Sequence, residues 1–291
     1  MMPDARPRRS VLYMPGSNPR ALEKGRSLAA DALILDLEDA VSPDAKDTAR
    51  AQVGDAVAAG GYGRREIVIR SNGLDTPWGH DDLIMAATSG ADAVLLPKVE
   101  SADAVRRAER VLRAAGAPDA LAIWCMIETP RGVLHAEQIA DAGPRLAALV
   151  MGTSDLAKDL HCAHTPMRLP LLTSLSHCLL AARAAGLAIV DGVHLDLNDD
   201  DGFRRACEDG LDMGFDGKTL IHPKTIATAN EVFEPAEETV AWSRRVIDAH
   251  RAASARGEGV VLLDGKLIEN LHVEEAHRIV ALAEAIAARD E

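Results

Sequence analysis

Aromatic side chains are scarce in this 291-residue chain: three Phe, three Trp and two Tyr make up 3% of it. A large core must therefore be assembled from Ala, Val, Leu and Ile, and a hydrophobic content of 47% is ample for one, which excludes a disordered chain. Cysteine is limited to Cys125, Cys162, Cys178 and Cys207, with no CxxC pair, so reduced and mostly buried thiols are expected. No apolar run reaches membrane-spanning length. The start, MMPDARPRRSVLYMPGS, is basic with a very short apolar patch and does not read as a secretory signal. Positive charge is also in deficit. A net charge of −13 argues against nucleic acid and anionic membrane surfaces, but not against an anionic small molecule, which needs only a local cationic pocket. A cytoplasmic enzyme is the expectation.

Repeats and low-complexity tracts are absent, and no GxGxxG follows the first apolar run. What is present is a period. Apolar, β-branched runs recur at 10–15, 32–39, 66–72, 93–99, 121–129, 146–155, 187–195 and 214–223. Between them lie Ala- and Arg-rich segments with helical spacing, such as DAVRRAERVLRAAG and LLTSLSHCLLAARAAG, each stopping at a glycine. Eight strands alternating with helices predict an α/β fold, a (β/α)8 TIM barrel in preference to an open doubly wound sheet. Residues 1–233 would form the barrel. Residues 234–291 would be a C-terminal helical extension, a long helix after Pro235, a hairpin-like element and a final helix, too small to own a core.

Barrel chemistry sits at the C-terminal ends of the strands. Those ends carry Asp36, Glu38 and Asp39, then Arg70 and Asn72, Lys98, Glu128, Asp155, Asp191 and His194, and Lys218. Asp36 and Glu38, two apart in an apolar strand, would share a face and need partners. Glu128 and Asp155 end neighbouring strands. Two hard carboxylates with water and substrate oxygens describe a Mg²⁺ site; alternatively each caps the helix that follows, with Thr129 available for the same job. His161 and His164 lie in a loop on either side of Cys162, with no second cysteine nearby, and read as surface histidines. Arg70 emerges from an apolar strand and suits a carboxylate or a developing oxyanion, or an ion pair with Asp36 or Glu38, or both at once. The turn in PGSNPRALEKGR, opening a helix with Arg20, Lys24 and Arg26, is a serviceable phosphate site.

RSVLYMPGSNPRALEKG, LILDLEDAV, VIRSN, LLPKVES, MIETPRG and GTSDLAKDL occur in that order. Together they resemble the citrate lyase β-subunit-like family within the HpcH/HpaI aldolase superfamily, which includes malyl-CoA and citramalyl-CoA lyases. The resemblance implies a barrel that is a homotrimer or a dimer of trimers. It implies Mg²⁺, with Mn²⁺ able to substitute, held by Glu128 and Asp155. Arg70 would contact substrate carbonyl oxygens, with Asp36 and Glu38 as a supporting acidic shell. Pro15, Ser17, Arg20, Lys24 and Lys98 would lie along a CoA thioester substrate. The family's extension reaches a neighbouring subunit with an Asp acid/base, and here Glu269 stands in its place, without the usual Pro. The expected activity is reversible C–C cleavage of a malyl-CoA or citramalyl-CoA type thioester to acetyl-CoA, or a homologue, and a 2-oxo acid. Two alternatives are a malyl-CoA-type thioesterase on the same site and a citrate lyase β-subunit acting on an acyl-carrier partner.

Overall fold

A computed structural model describes residues 6–255 and 261–290. The basic stretch over 1–5 and the junction over 256–260 that would begin the hairpin lie outside the described residues. Eight parallel strands, β1 (Ser10–Pro15), β2 (Ala32–Asp36), β3 (Glu66–Arg70), β4 (Ala93–Leu96), β5 (Ala122–Ile127), β6 (Leu146–Met151), β7 (Ala188–Val190) and β8 (Lys218–Leu220), pair in the order β7-β6-β5-β4-β3-β2-β1-β8. A single bridge between Asp191 and Lys218 brings β7 and β8 together and nearly closes the (β/α)8 barrel. The helices are α1 (Pro19–Gly25), α2 (Lys46–Ala59), α3 (Gly79–Ser89), α4 (Ala102–Ala114), α5 (Pro130–Leu134), α6 (Ala136–Ala140), α7 (Thr153–Asp159), α8 (Leu172–Ala184), α9 (Asp200–Met213) and α10 (Ile226–Phe233).

Strand alternation sorts the side chains. Val11, Ala32, Ile34, Val68, Ala93, Leu95, Trp124, Met126, Ala148, Val150 and Val190 form one buried cluster, the barrel interior. Their sequence neighbours Leu12, Leu33, Leu35, Ile67, Ile69, Val94, Cys125 and Ile189 belong to the larger cluster that includes the helices. Trp124 fills the interior where aromatics are otherwise scarce. The Arg8 guanidinium lies 5.0 Å above its ring and pairs with Glu66 (2.7 Å), at the first residue of β3. Ser101 caps α4 by accepting from the Ala104 amide (3.3 Å). The glycines that close α4 and α8, Gly116 and Gly186, both have positive φ.

Several strands are shorter than the apolar runs. The Asp36 carboxylate accepts from the amides of Glu38 (2.8 Å) and Ala40 (3.1 Å), turning the chain off the sheet. Glu38 therefore sits in a loop and not two places along a strand. Asp155 likewise leaves the expected strand and falls in the first turn of α7, because β6 ends at Met151.

Asp191 and Lys218 are corrected as well. Asp191 has the parity of Ile189, and Lys218 that of Leu220, so both face the helices behind the barrel wall. Asp191 is fully buried, with Lys218 Nζ at 2.7 Å and Arg168 Nη1 at 2.7 Å. Burial alone would raise its pKa, but the two cations hold it below the ordinary carboxylate range. Asp191→Ala should therefore destabilise the protein by about 3–5 kcal/mol, because it strands two cations. Urea unfolding reads this directly; a loss below about 1 kcal/mol would mean water reaches the pair.

The chain divides into two compact units, one spanning Arg8–Phe233 and one built on Glu234–Glu291. The second holds helix α11 (Glu237–Ala255), an antiparallel hairpin of β9 (Val261–Leu263) and β10 (Lys266–Ile268), and helix α12 (Asn270–Asp290). Asp264 and Gly265 both have positive φ, the requirement of a type I′ hairpin turn. Against expectation this extension has a core of its own. Val246, Ile268, Val273 and Ala276 are buried together, with Trp242, Ile247, Val261 and Leu263 against them. Two amphipathic helices pack on each other, and the hairpin covers the seam that a lone helix would expose.

Candidate active site

Register explains the centre of the site. Asp36 is the β-partner of Pro15 on one side and of Arg70 on the other, so the acid and the guanidinium are side by side at one level of the barrel. Both share inward parity with Ile34 and Val68. Arg70 Nε and Nη2 donate to the two Asp36 oxygens at 2.7 and 2.6 Å, a planar two-pronged pair. Its Nη1 lies 2.8 Å from Glu38 and 3.7 Å from Asp39. The Tyr13 ring lies 5.0 Å from the guanidinium carbon. Burial disfavours the Arg70 charge, but Asp36 more than offsets this and keeps its pKa above the ordinary arginine value. Asp36 and Glu38 are thus ion partners of Arg70.

Glu38 is held from several sides. Its Oε1 accepts from Lys98 Nζ (2.6 Å), and its own backbone carbonyl accepts from Lys46 Nζ (2.7 Å). Lys46 also holds the Leu37 carbonyl (2.8 Å), which Asn72 Nδ2 reaches as well (2.9 Å). Asp82 in turn accepts from Asn72. Burial pushes the Glu38 pKa up, against the pull of Arg70 and Lys98.

Glu128 follows β5 directly and is buried. Its Oε1 accepts from the Lys98 amide at 2.7 Å, while Oε2 accepts from no described residue. Burial pushes its pKa up to about 7, the Lys98 amide pulling the other way. Gly152 lies against it: a Cβ there would sit 2.5 Å from Oε2. Asp155 is three residues on from that glycine, with Oδ1 3.0 Å from Lys158. Neither acid is a cap. Thr129 caps α5, and α7 begins at Thr153 after Gly152, without a side-chain cap. Lys98, which touches both Glu128 and Glu38, has a φ of 48°, a conformation that costs a non-glycine residue about 1–3 kcal/mol.

Among the described residues, no three His, Cys, Asp or Glu side chains converge as a metal-ligating group. Glu128 and Asp155 are hard oxygen ligands, and Glu128 keeps an oxygen that no described residue donates to. That set fits Mg²⁺, which takes few carboxylates and retains waters. The Glu128 titration has a testable consequence. In the metal-free protein the folded state keeps this proton up to about pH 7, while the unfolded chain releases it near the ordinary glutamate value of 4.5. The native state binds more protons between those values, so this group's stability contribution falls as pH rises through that window. Glu128→Gln should then stabilise the EDTA-treated protein at pH 8 by up to roughly 3 kcal/mol, and by little at the acid end. Urea midpoints at both pH values check this; equal shifts would overturn it.

Other sequence candidates are placed differently. Asn18 Oδ1 accepts from the Arg20 and Ala21 amides (3.1 and 3.2 Å), so the amides at the start of α1 are already taken. An anion at this turn would therefore meet the basic side chains and not the helix-terminal amides. Arg26 pairs with Glu23 and lies 5.4 Å over Tyr62. Arg20 and Lys24 are exposed, beside a groove shared with Pro19 and Ser27. Ser17 is exposed and Pro15 half-buried. His194 packs edge-on against Phe203 (6.0 Å), and burial lowers its pKa. Glu269 is exposed at the start of α12, its carbonyl accepting from the His272 amide (3.0 Å) and its carboxylate engaging no described residue. Tyr13 and Lys46 were missed. Period two within SVLYMP would have found Tyr13, inward like Val11; nothing local marks Lys46.

A family model described as HpcH/HpaI aldolase/citrate lyase matches residues 9–223. The chain is 51% identical over 288 residues to a (3S)-malyl-CoA thioesterase of Cereibacter sphaeroides, covering 99% of both. It is 37% identical over 310 residues to an L-malyl-CoA/beta-methylmalyl-CoA lyase of the same species, covering 98% of both. A crystal structure of protein CitE from Mycobacterium tuberculosis in complex with magnesium, acetoacetate and coenzyme A superposes with a TM-score of 0.72 at 30% identity, over 94% of this chain and 97% of that one. Full-length matches to enzymes, with the six ordered motifs converging on one end of the barrel, place this chain in the HpcH/HpaI aldolase/citrate lyase family.

Proposed function

We propose that the protein hydrolyses a malyl-CoA-type thioester with Mg²⁺ bound between Glu128 and Asp155. The observation that carries this reading is the 51% identity, end to end, with a (3S)-malyl-CoA thioesterase. The motif resemblance puts C–C cleavage first; the higher identity puts hydrolysis first.

When bound, magnesium would draw electron density from substrate oxygens. The chain's own residues supply the rest. Arg70, fixed by Asp36 and stacked on Tyr13, presents its remaining N–H capacity to the oxygen that gains charge as water adds to the thioester carbon. A base must take the proton from that water, and Glu269 of a second subunit serves as it. The new C–O bond forms, the C–S bond breaks, and the proton passes to the departing thiolate to give free CoA and malate. Arg20, Lys24 and Ser17 lie along the CoA chain, and the extension over 234–291 acts as a lid on the neighbouring barrel within a trimer.

The second reading, C–C lysis of the same substrate, is favoured by the 37% identity to a malyl-CoA/beta-methylmalyl-CoA lyase. Incubating purified protein, Mg²⁺ and malyl-CoA separates the two. Hydrolysis gives thiol and malate in equal amounts, whereas lysis gives acetyl-CoA and glyoxylate without free thiol. Turnover only of an acyl-carrier thioester would indicate a citrate lyase β-subunit. Glu269→Gln should lower kcat by about 100-fold with KM little changed; a fully active variant removes Glu269 from the mechanism.

A further inference from the structure

Lys98 is held in the left-handed region at φ 48°, immediately after Pro97. Its two nitrogens reach two different parts of the site. The backbone amide donates to Glu128 Oε1 at 2.7 Å, and the ammonium donates to Glu38 Oε1 at 2.6 Å. Glu38 uses its other oxygen on Arg70, at 2.8 Å. The amide of Val99, the next residue, is tied to the Met126 carbonyl of β5 (3.2 Å), which anchors the turn to the sheet. A right-handed φ at residue 98 would send the lysine side chain and the chain that follows in another direction from the amide, and loss of the ammonium would leave the Glu38 carboxylate, among the described residues, tied to Arg70 and to the Asp39 amide.

We propose that Lys98 is a positioning residue: its left-handed turn and its ammonium together fix the spacing between Glu128 and the Arg70–Glu38 pair. One oxygen of Glu128 is engaged by the amide and the other is left for a cation. The ammonium keeps Glu38, and through it the Arg70 fork, at a set distance from that oxygen. Lys98 then acts on the reaction through Glu38, and it is not itself a substrate contact. This rests on the reading that Glu128 and Arg70 serve one substrate.

Two independent measurements test it on the full chain. The first needs no substrate. Amide exchange at Lys98 is followed relative to Val99 in the metal-free protein. Glu128→Ala should accelerate Lys98 about tenfold over Val99, and Glu128→Gln, which still offers an acceptor oxygen, should not. Equal acceleration of both amides, or of neither, overturns the amide link. The second is kinetic, with Mg²⁺ present. Lys98→Met should lower kcat about tenfold with KM and Mn²⁺ affinity within about threefold, and Lys98→Arg should recover most of the loss. Adding Lys98→Met to Glu38→Gln should cost nothing further, since the lysine acts through that carboxylate. Multiplying losses in the double variant, or a raised KM alone, would make Lys98 a substrate contact and overturn the proposal. If the wild type does not turn over malyl-CoA, the functional reading fails, while the exchange result still decides the Lys98–Glu128 link.

Discussion

Glu128→Gln should lower Mg²⁺-dependent turnover by about 100-fold or more, with the fold intact. The variant keeps the size of the side chain and its contact with the Lys98 amide, so the barrel has no reason to rearrange. It loses the anionic oxygen that has no partner within the described protein. In a site with two carboxylates, removing one takes half of the protein's charge from the cation. Asp155→Asn should act in the same direction. Its side chain is more exposed and already pairs with Lys158, so part of the charge lost there was shared. Magnesium affinity by calorimetry, alongside kcat/KM, checks both. Unchanged affinity in both variants would sink the assignment of the metal to these residues.

Arg70→Lys should also fail, although it conserves charge. Arginine meets Asp36 with two parallel N–H donors, 2.7 and 2.6 Å long, and reaches Glu38 with a third nitrogen. An ammonium is a point donor on a longer, floppier stem and cannot reproduce that fork. The substitution would leave one oxygen of a buried Asp36 short of a charged partner, and would remove the flat cation from Tyr13. A loss of at least about tenfold in kcat/KM is expected, equivalent to roughly 1.4 kcal/mol of transition-state stabilisation. A smaller loss accompanied by a lower unfolding midpoint would make Arg70 a structural partner of the acidic residues and nothing more. Comparison with Arg70→Met separates the terms, because that variant removes charge and fork together.

Much of this was legible from local pattern. The period of apolar runs set eight strands, and the glycines at 116 and 186 marked helix ends because a left-handed residue favours glycine. Charged residues at the ends of apolar strands singled out Asp36, Arg70 and Glu128 as needing partners, and the pairing of Asp36 with Arg70 followed from their place on adjacent strands. Inward or outward facing was also available from period two, and it would have assigned Asp191 and Lys218 to the helix side, since Ile189 and Leu220 share their parity. A chain read one residue type at a time misses this, because an acid at a strand end looks the same on either face.

The sequence by itself determined the barrel, the identity of the charged residues at its mouth and the hairpin turn at Asp264–Gly265, because each depends on near neighbours along the chain. Only the tertiary structure decided what those charges do to one another. Lys46 reaches the loop of Glu38 from the start of the next helix, and Asn18 takes the amides that a phosphate would have used. Lys98 spans Glu38 and Glu128, residues separated from it by 60 and 30 positions. Such contacts depend on register, on loop closure and on a backbone angle of 48°, and Coulomb forces at 2.6–2.8 Å act on whatever the fold brings together, regardless of distance along the chain.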